Sequence, residues 1–238
     1  MQSPAIRFSK GASTSNPIPR GEVFYIPFYN PSCWGITFQT IDPYGFIATR
    51  TDGVMNDSGA TLDGDDFFII PDHAAIDAML VGNKFSLVYT ITPATVTGGD
   101  AVRPLFTKYE GTDNQRQVSF YQVNNTIACV FATLAGIIVT YTSAAILAAG
   151  TKSHIVMSVD KTAVAMNDKV SLYHNGAIVD MTTADVAFPT ISAATSNLYI
   201  GQNGTSASNN FDGIIKECSA HNVTLSASEA EYAYRGSL

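Results

Sequence analysis

The 238-residue sequence predicts an all-β chain: a two-sheet antiparallel β-sandwich with a short C-terminal helix and an extended N-terminal arm. Three observations point there. Charged residues make up only 14% of the chain against 46% hydrophobic, with Thr, Ser, Ala, Gly and Asn plentiful, a mixture that suits strands and polar turns better than helices. Short β-branched and aromatic runs recur along most of the length. The last third, His154 to Tyr234, sets strand-like segments and one helix in a fixed order. A chain of this size can bury a full core as one large β domain, so residues 1–20 are expected as the arm and residues 21–238 as the sandwich.

The arm carries Pro4, Pro17 and Pro19 around Gly11-Ala-Ser-Thr-Ser-Asn16, with Ile6 and Phe8 as its larger apolar residues. That composition cannot bury enough surface to fold alone, so the arm either lies along its own domain or is clasped by a neighbouring subunit, with Ile6, Phe8, Pro17 and Pro19 as its expected assembly contacts. Val23 to Tyr29 reads as a strand in which Pro27 implies an edge or a bulge. Trp34 to Phe38 and Phe46 to Thr49 read as further short strands. Leu62-Asp-Gly-Asp-Asp-Phe-Phe-Ile-Ile70 is a tight turn feeding a strand that Pro71 ends, and Asp72 to Leu80 a short helical turn. Phe85 to Ile91, Leu105 to Tyr109 and Val118 to Val123 alternate as half-buried strands, the last two separated by a polar loop from Glu110 to Gln115.

From Gln117 to Thr151 there is no charge, and a hydropathy window would flag a membrane span. Gly136 and Thr140-Tyr-Thr-Ser143 break the run, no basic flank marks a cytoplasmic side, and Ile127–Phe131 and Ile137–Val139 have strand length and β-branched composition. Two buried strands are expected, not a span. His154–Asp160 is the next strand. Asn175-Gly176 then sits between two alternating runs, the pair that a type I′ hairpin turn requires. Asn197–Gly201 and Phe211–Glu217 follow as strands. Ser226 and Glu229 form a capping box, which starts the last helix near Ala227 and stops it at Gly236.

This order resembles the laminin-G-like branch of the concanavalin A-like lectin/glucanase superfamily, a two-sheet jelly roll. The likeness extends from about residue 55 to residue 235, through the Asp-Gly turn with its paired Asp, the strand after it, the helical turn and the Phe-led strand. Val23 to Tyr29 supplies a first strand. The Trp-His-His-Val-Ala that relatives often carry before the long strand is here Lys152-Ser-His-Ile-Val156, with only His154 kept. The superfamily holds lectins, hydrolases and structural modules, so function must come from other residues.

Several chemistries are argued against. A net charge of −7 with 13 scattered Lys and Arg offers no basic stripe for nucleic acid. No signal sequence is visible at Met1-Gln-Ser-Pro4, and Cys33, Cys129 and Cys218 have neither metal spacing nor a disulfide framework, so they read as buried thiols of a chain made in a reducing cytoplasm. Glucanases of the superfamily use acids spaced Glu-x-Asp-x-x-Glu on one strand face. Glu217 has Ser219 where the Asp would stand, Glu110 is in a loop, and Glu229 and Glu231 are on the helix. His73, His154, His174 and His221 occur singly, and no nucleophile motif accompanies them. Gly201-Gln-Asn-Gly204 lacks the lysine of a phosphate loop.

Two candidate sites remain. Asp63, Asp65 and Asp66, with Asp52 and Asp57 nearby, are the best metal ligands, and calcium is the cation such oxygens would take. The same residues serve as turn formers, Asp63 and Asp65 shaping the turn while Asp66 starts a strand; the family keeps this turn even without metal, which favours that reading. Asp212 is likewise expected in a turn. Trp34, Tyr44, Asn203, Asn209 and Asn210 have the types a glycan site uses. The expected function is a non-enzymatic assembly protein, a virion component such as a phage capsid decoration or tail protein, working among neighbouring subunits as a homo-oligomer. A carbohydrate-binding module at a cell surface, calcium-dependent or not, is the alternative.

Overall fold

Two antiparallel sheets lie face to face in the computed structural model, which describes residues 20–97, 101–109, 116–134, 136, 138–185, 187–204 and 210–237. In chain order come β1 (Glu22–Pro27), β2 (Thr37–Gln39), β3 (Ile47–Arg50), β4 (Val54–Asn56), β5 (Gly59–Asp63) and β6 (Phe68–Ile70). Helix α1 (Ala74–Val81) follows, then β7 (Lys84–Pro93), β8 (Val102–Tyr109), β9 (Arg116–Val123), β10 (Thr126–Ala132) and β11 (Ile138–Ser143). The last third holds β12 (Ser153–Asp160), β13 (Val170–His174), β14 (Ala177–Val179), β15 (Met181–Thr182), β16 (Leu198–Ile200), β17 (Asp212–His221) and α2 (Ala227–Ser237). One sheet is ordered β14-β13-β12-β7-β17-β5-β4, with β1 also paired to β17; the other is ordered β15-β11-β10-β9-β8-β16-β6-β3-β2. The predicted all-β sandwich with its short C-terminal helix is the architecture the chain adopts.

Period-two alternation explains which faces meet. On β7, Phe85, Leu87, Tyr89 and Ile91 are all fully or almost fully buried between the sheets. The Tyr89 hydroxyl crosses the sandwich and donates to the Leu105 carbonyl of the facing sheet at 3.0 Å, so its one polar atom is satisfied. Aromatic contacts fill the interior: Phe24 stacks with Phe106 at 6.3 Å, and Phe28 meets Phe68 at 4.5 Å. The opposite face of β7 is covered too, because Leu225, Ala230 and Ala233 pack on Val88, Val156 and Tyr173. The charge-free run forms β10 and β11, paired from Ala128↔Thr142 to Ala132↔Ile138. Among the described residues no helix is long and apolar enough to cross a membrane.

Local signals act as expected in most places. Asn175 and Gly176 both have positive φ, 52° and 80°, which closes the β13–β14 hairpin as a type I′ turn. The Ser226 amide donates to Glu229 Oε2 at 2.8 Å, the reciprocal half of the capping box. Pro27 ends β1, a strand with one partner and a bulge between Glu22 and Phe24. All three cysteines are buried and free.

Elsewhere the structure differs. Trp34 to Phe38 is not one strand: Asn30 caps a 3-10 turn at Pro31–Cys33, Trp34 closes it, and β2 starts only at Thr37. Asp212 opens β17 opposite Asp63 and is not in a turn. Helix α2 continues through Gly236 to Ser237, whose carbonyl accepts from Lys152 and Lys216 at 3.0 and 2.8 Å; two ammonium groups satisfy the helix end that glycine was expected to close. The arm residues Ile6, Phe8, Pro17 and Pro19, the loop 110–115 and Asn209 lie outside the described residues.

One buried cation ties helix, sheet and connection together. Lys108 of β8 is fully buried, and its ammonium donates to Asp72 at 2.6 Å and to the Ala194 and Ser196 carbonyls at 2.8 Å each, with Asp77 of α1 at 3.2 Å. Gln117 reinforces the junction through Asp77 at 3.0 Å and the Ser192 carbonyl at 2.7 Å. The long β15–β16 connection is thereby fixed to α1.

Candidate functional site

Three chain segments meet at one rim of the sandwich. The β3–β4 loop brings Asp52 and Gly53, the β5–β6 turn brings Asp63 to Asp66, and Gly201 follows β16. Close approach dictates the glycines. A Cβ on Gly201 (φ 91°) would lie 2.9 Å from Leu62 Cδ1 and 3.4 Å from the Asp66 carbonyl; one on Gly53 (φ 88°) would lie 3.4 Å from Asp66 Oδ2. Between the segments an open hollow of about 290 Å³ is lined by Asp52, Val54, Thr61, Asp63, Asp65 and Asp66. Asp57, exposed in the β4–β5 turn, does not line it.

The predicted metal candidates come together here. Carboxylate oxygens of Asp63, Asp65 and Asp66 all lie within 4.8 Å of one another. Asp66 is buried and its Oδ2 accepts the Asp63 amide at 3.1 Å, so Asp66, expected as a strand start, is the residue that closes the turn. Burial first, and then the Asp63 charge, push the Asp66 carboxyl up to about 6. Asp65 is raised by its hydrogen bond to Asp63 and by that residue's charge, while Asp63, the acceptor from both neighbours, is lowered. Three like-charged groups thus compete for protons in one hollow. An oxygen-only donor set under such repulsion fits a hard cation: Asp63, Asp65 and Asp66 would hold calcium with Asp52 behind them, and water or a ligand's hydroxyls would complete the six to eight oxygens it takes.

The glycan candidates divide into two places. Trp34 is half-buried, its indole N–H donating to the Phe28 carbonyl at 3.1 Å. Tyr44 is 52% exposed, stacked on Phe46 at 5.5 Å and edge-on to His73 at 6.1 Å. Asn203 is half-buried and Asn210 buried, and the Phe211 amide donates to the Gly201 carbonyl at 2.8 Å. Asn203 lies two residues beyond Gly201, which packs on Leu62 and Asp66, but it does not line the acidic hollow. No contact among the described residues joins Trp34 or Tyr44 to either asparagine. Val54, Thr61 and Gly201 were not singled out by sequence reasoning; the one available signal was a glycine directly after a strand.

Hydrolytic arrangements do not assemble among the described residues. Glu217 accepts hydroxyls from Thr90 and Tyr25, each at 3.1 Å, and has no second carboxylate as partner. His73 caps α1 through Nδ1, and His174 meets Ser153. His221 lies 2.9 Å from Ser219 Oγ, yet its Nδ1 donates to the Arg20 carbonyl at 3.0 Å and the ring is fully buried, so the pair has neither an acid behind it nor access to a substrate.

The Laminin_G_3 family model, described as the concanavalin A-like lectin/glucanases superfamily, matches residues 62–231, more than two thirds of the chain. No curated protein matches it in sequence. Among solved structures, the botulinum neurotoxin serotype D binding domain superposes with a TM-score of 0.69 at 11% identity, covering 93% of this chain and 53% of that one. The binding domain of botulinum neurotoxin DC in complex with SialylT gives 0.68 at 10% identity, covering 92% and 52%. That of Paraclostridial Mosquitocidal Protein 1 gives 0.63 at 12% identity, covering 91% and 52%. The chain spans about half the length of each, and at these identities the likeness is one of fold.

Proposed function

Because the chain belongs to the concanavalin A-like lectin/glucanase superfamily, we propose that it is a non-catalytic recognition module that binds a surface carbohydrate at its loop rim, with calcium at the acidic hollow. The observation that carries this reading is the convergence of Asp63, Asp65 and Asp66 in an open hollow beside Asp52. Sugar hydroxyls are neutral oxygen ligands, suited to the coordination positions the carboxylates leave open. Asn203, in the adjoining loop, adds an amide for hydroxyl recognition. The SialylT complex of a structural neighbour is consistent with a sugar-binding role for such sandwiches. A glycan array run with calcium and with chelator tests the reading: a defined glycan subset binds, and chelation or Asp63→Asn with Asp65→Asn removes it. An array blank in both conditions refutes it.

An assembly role is the second reading, favoured by how the base of the arm is held. Arg20 grips Glu229 with two nitrogens at 2.8 and 2.9 Å and donates to the Thr224 carbonyl at 2.8 Å, so whatever residues 1–19 engage is coupled to α2. On this reading the chain is a homo-oligomeric virion component, a phage capsid decoration or tail protein, displayed outside the cell. Light scattering of the intact chain against one lacking residues 1–19 tests it: equal, monomeric masses refute an arm-mediated assembly.

A further inference from the structure

A second hollow of about 320 Å³ opens at the other end of β7 from the acidic one, between the end of α1, the β12–β13 connection and residues 188–191. Asn83, Lys161, Lys169 and Thr190 form its polar side, Val81 and Pro189 its apolar side. The Lys161 ammonium donates to the Leu80 and Val81 carbonyls at 2.5 and 3.2 Å, capping α1. Lys169 donates to the Lys161 carbonyl at 2.6 Å and to that of Ala163. Each ammonium has three donors, so each keeps one N–H without an acceptor among the described residues.

No carboxylate lines this hollow. Asp160 is engaged by Lys84 at 2.8 Å and by the Thr162 hydroxyl and amide, and Asp168 is exposed on the 3-10 turn Met166–Asp168 outside the lining. Burial alone draws the Lys161 ammonium down to about 8, with no acid's attraction working against it. Two half-buried cations with spare donors and no counter-charge are an unusual arrangement in a chain of net charge −7.

We propose that this hollow binds an anionic saccharide, a sugar whose carboxylate or sulfate sits between Lys161 and Lys169 while its hydroxyls meet Asn83 and Thr190. Val81 and Pro189 offer an apolar wall to the C–H face of the ring. The sugar class rests on the recognition reading above, but the place, the charge and the independence from calcium do not. The overall negative field gives no long-range steering, so binding is local and sensitive to salt.

Calorimetric titration in chelator with 3′-sialyllactose, a sulfated disaccharide, neutral lactose and inorganic sulfate tests this, the two charged sugars separating carboxylate from sulfate. One charged sugar binds, lactose does not, and Lys161→Gln or Lys169→Gln weakens binding at least about tenfold, the scale of a lost charged hydrogen bond. Lys161→Arg keeps the charge and retains binding, which excludes a folding defect as the cause. Affinity falls as the pH rises through 8, where Lys161 gives up its proton; the other charged groups around it are Lys169, which lines the hollow, and the Lys84–Asp160 pair and Asp168, which do not. If neither charged sugar binds in chelator, or if both lysine variants bind like the parent, the proposal is overturned. A charged sugar that requires calcium and ignores both lysine variants supports the rim site and overturns this one. Binding of inorganic sulfate with neither sugar overturns the saccharide assignment.

Discussion

Replacing Lys108 with methionine removes a charge but little volume, which makes it a direct test of how the β15–β16 connection is held. The variant leaves the Asp72 and Asp77 carboxylates and the Ala194 and Ser196 carbonyls without their common donor. Breaking a buried ion pair by deleting one partner costs roughly 3 to 5 kcal/mol. Asp72 retains 33% side-chain exposure and Asp77 14%, so water re-solvates part of the orphaned charge and the lower figure, about 3 kcal/mol, is expected. For a domain of this size each kcal/mol moves the melting temperature by about 2 to 4 °C, so Lys108→Met should melt about 6 to 12 °C below the parent. Differential scanning calorimetry reads the shift. Adding Asp77→Asn to Lys108→Met should cost less than the sum of the single changes, because the two act on one contact. A shift under about 2 °C, or strict additivity with Asp77→Asn, would refute the claim that this lysine fastens the connection.

Acid should weaken the fold in a defined window. Burial draws His154 and His221 each down to about 4, so between pH 6.5 and 4 the unfolded chain takes up protons that the folded chain refuses; stability is full above 6.5 and is lost as the pH falls through the window. Melting followed by circular dichroism should show this loss, and His221→Gln should flatten it. Asp66 acts in the opposite sense: its raised carboxyl makes the fold lose stability as the pH rises from about 4 through 6, so Asp66→Asn should melt higher than the parent at pH 7.5 in chelator and show no shift on adding calcium. Gly176→Val should cost about 1 to 2 kcal/mol in urea titrations, since φ is 80° and a Cβ would stand 3.2 Å from Glu231 Cα; an unchanged midpoint would contradict the turn assignment.

What the sequence could show depended on how far apart the cooperating residues lie. The Asn175-Gly176 hairpin and the Ser226–Glu229 cap are decided within four residues, so their signals were complete locally. The acidic hollow was half legible: Asp63, Asp65 and Asp66 stand together in the chain, while Gly201 joins them only because β16 pairs with β6. Lys108 gave no signal at all, since a lone lysine in a strand is ordinarily exposed and its acceptors come from residues 72, 77, 194 and 196. Lys161 and Lys169 were hidden for the same reason, their hollow being completed by residues 81, 83 and 188–191. Trp34 misled because an aromatic before a strand resembles its beginning, whereas Asn30 and Pro31 had already committed the chain to a 3-10 turn.

Arg20 and Ser237 sit at opposite ends of α2, an 11-residue helix about 16 Å long, and the main-chain carbonyl of each accepts from β17, that of Arg20 from His221 and that of Ser237 from Lys216. Tension applied between these two points therefore bears first on the helix and on the β17 groups that hold its ends. Release of the exposed Arg20 from Glu229 and Thr224 is the expected first yield under such a load, because it breaks no strand pairing and touches none of the aromatic interior. A chain tethered by its N-terminal side would thus yield at the tether while the two sheets keep their shape.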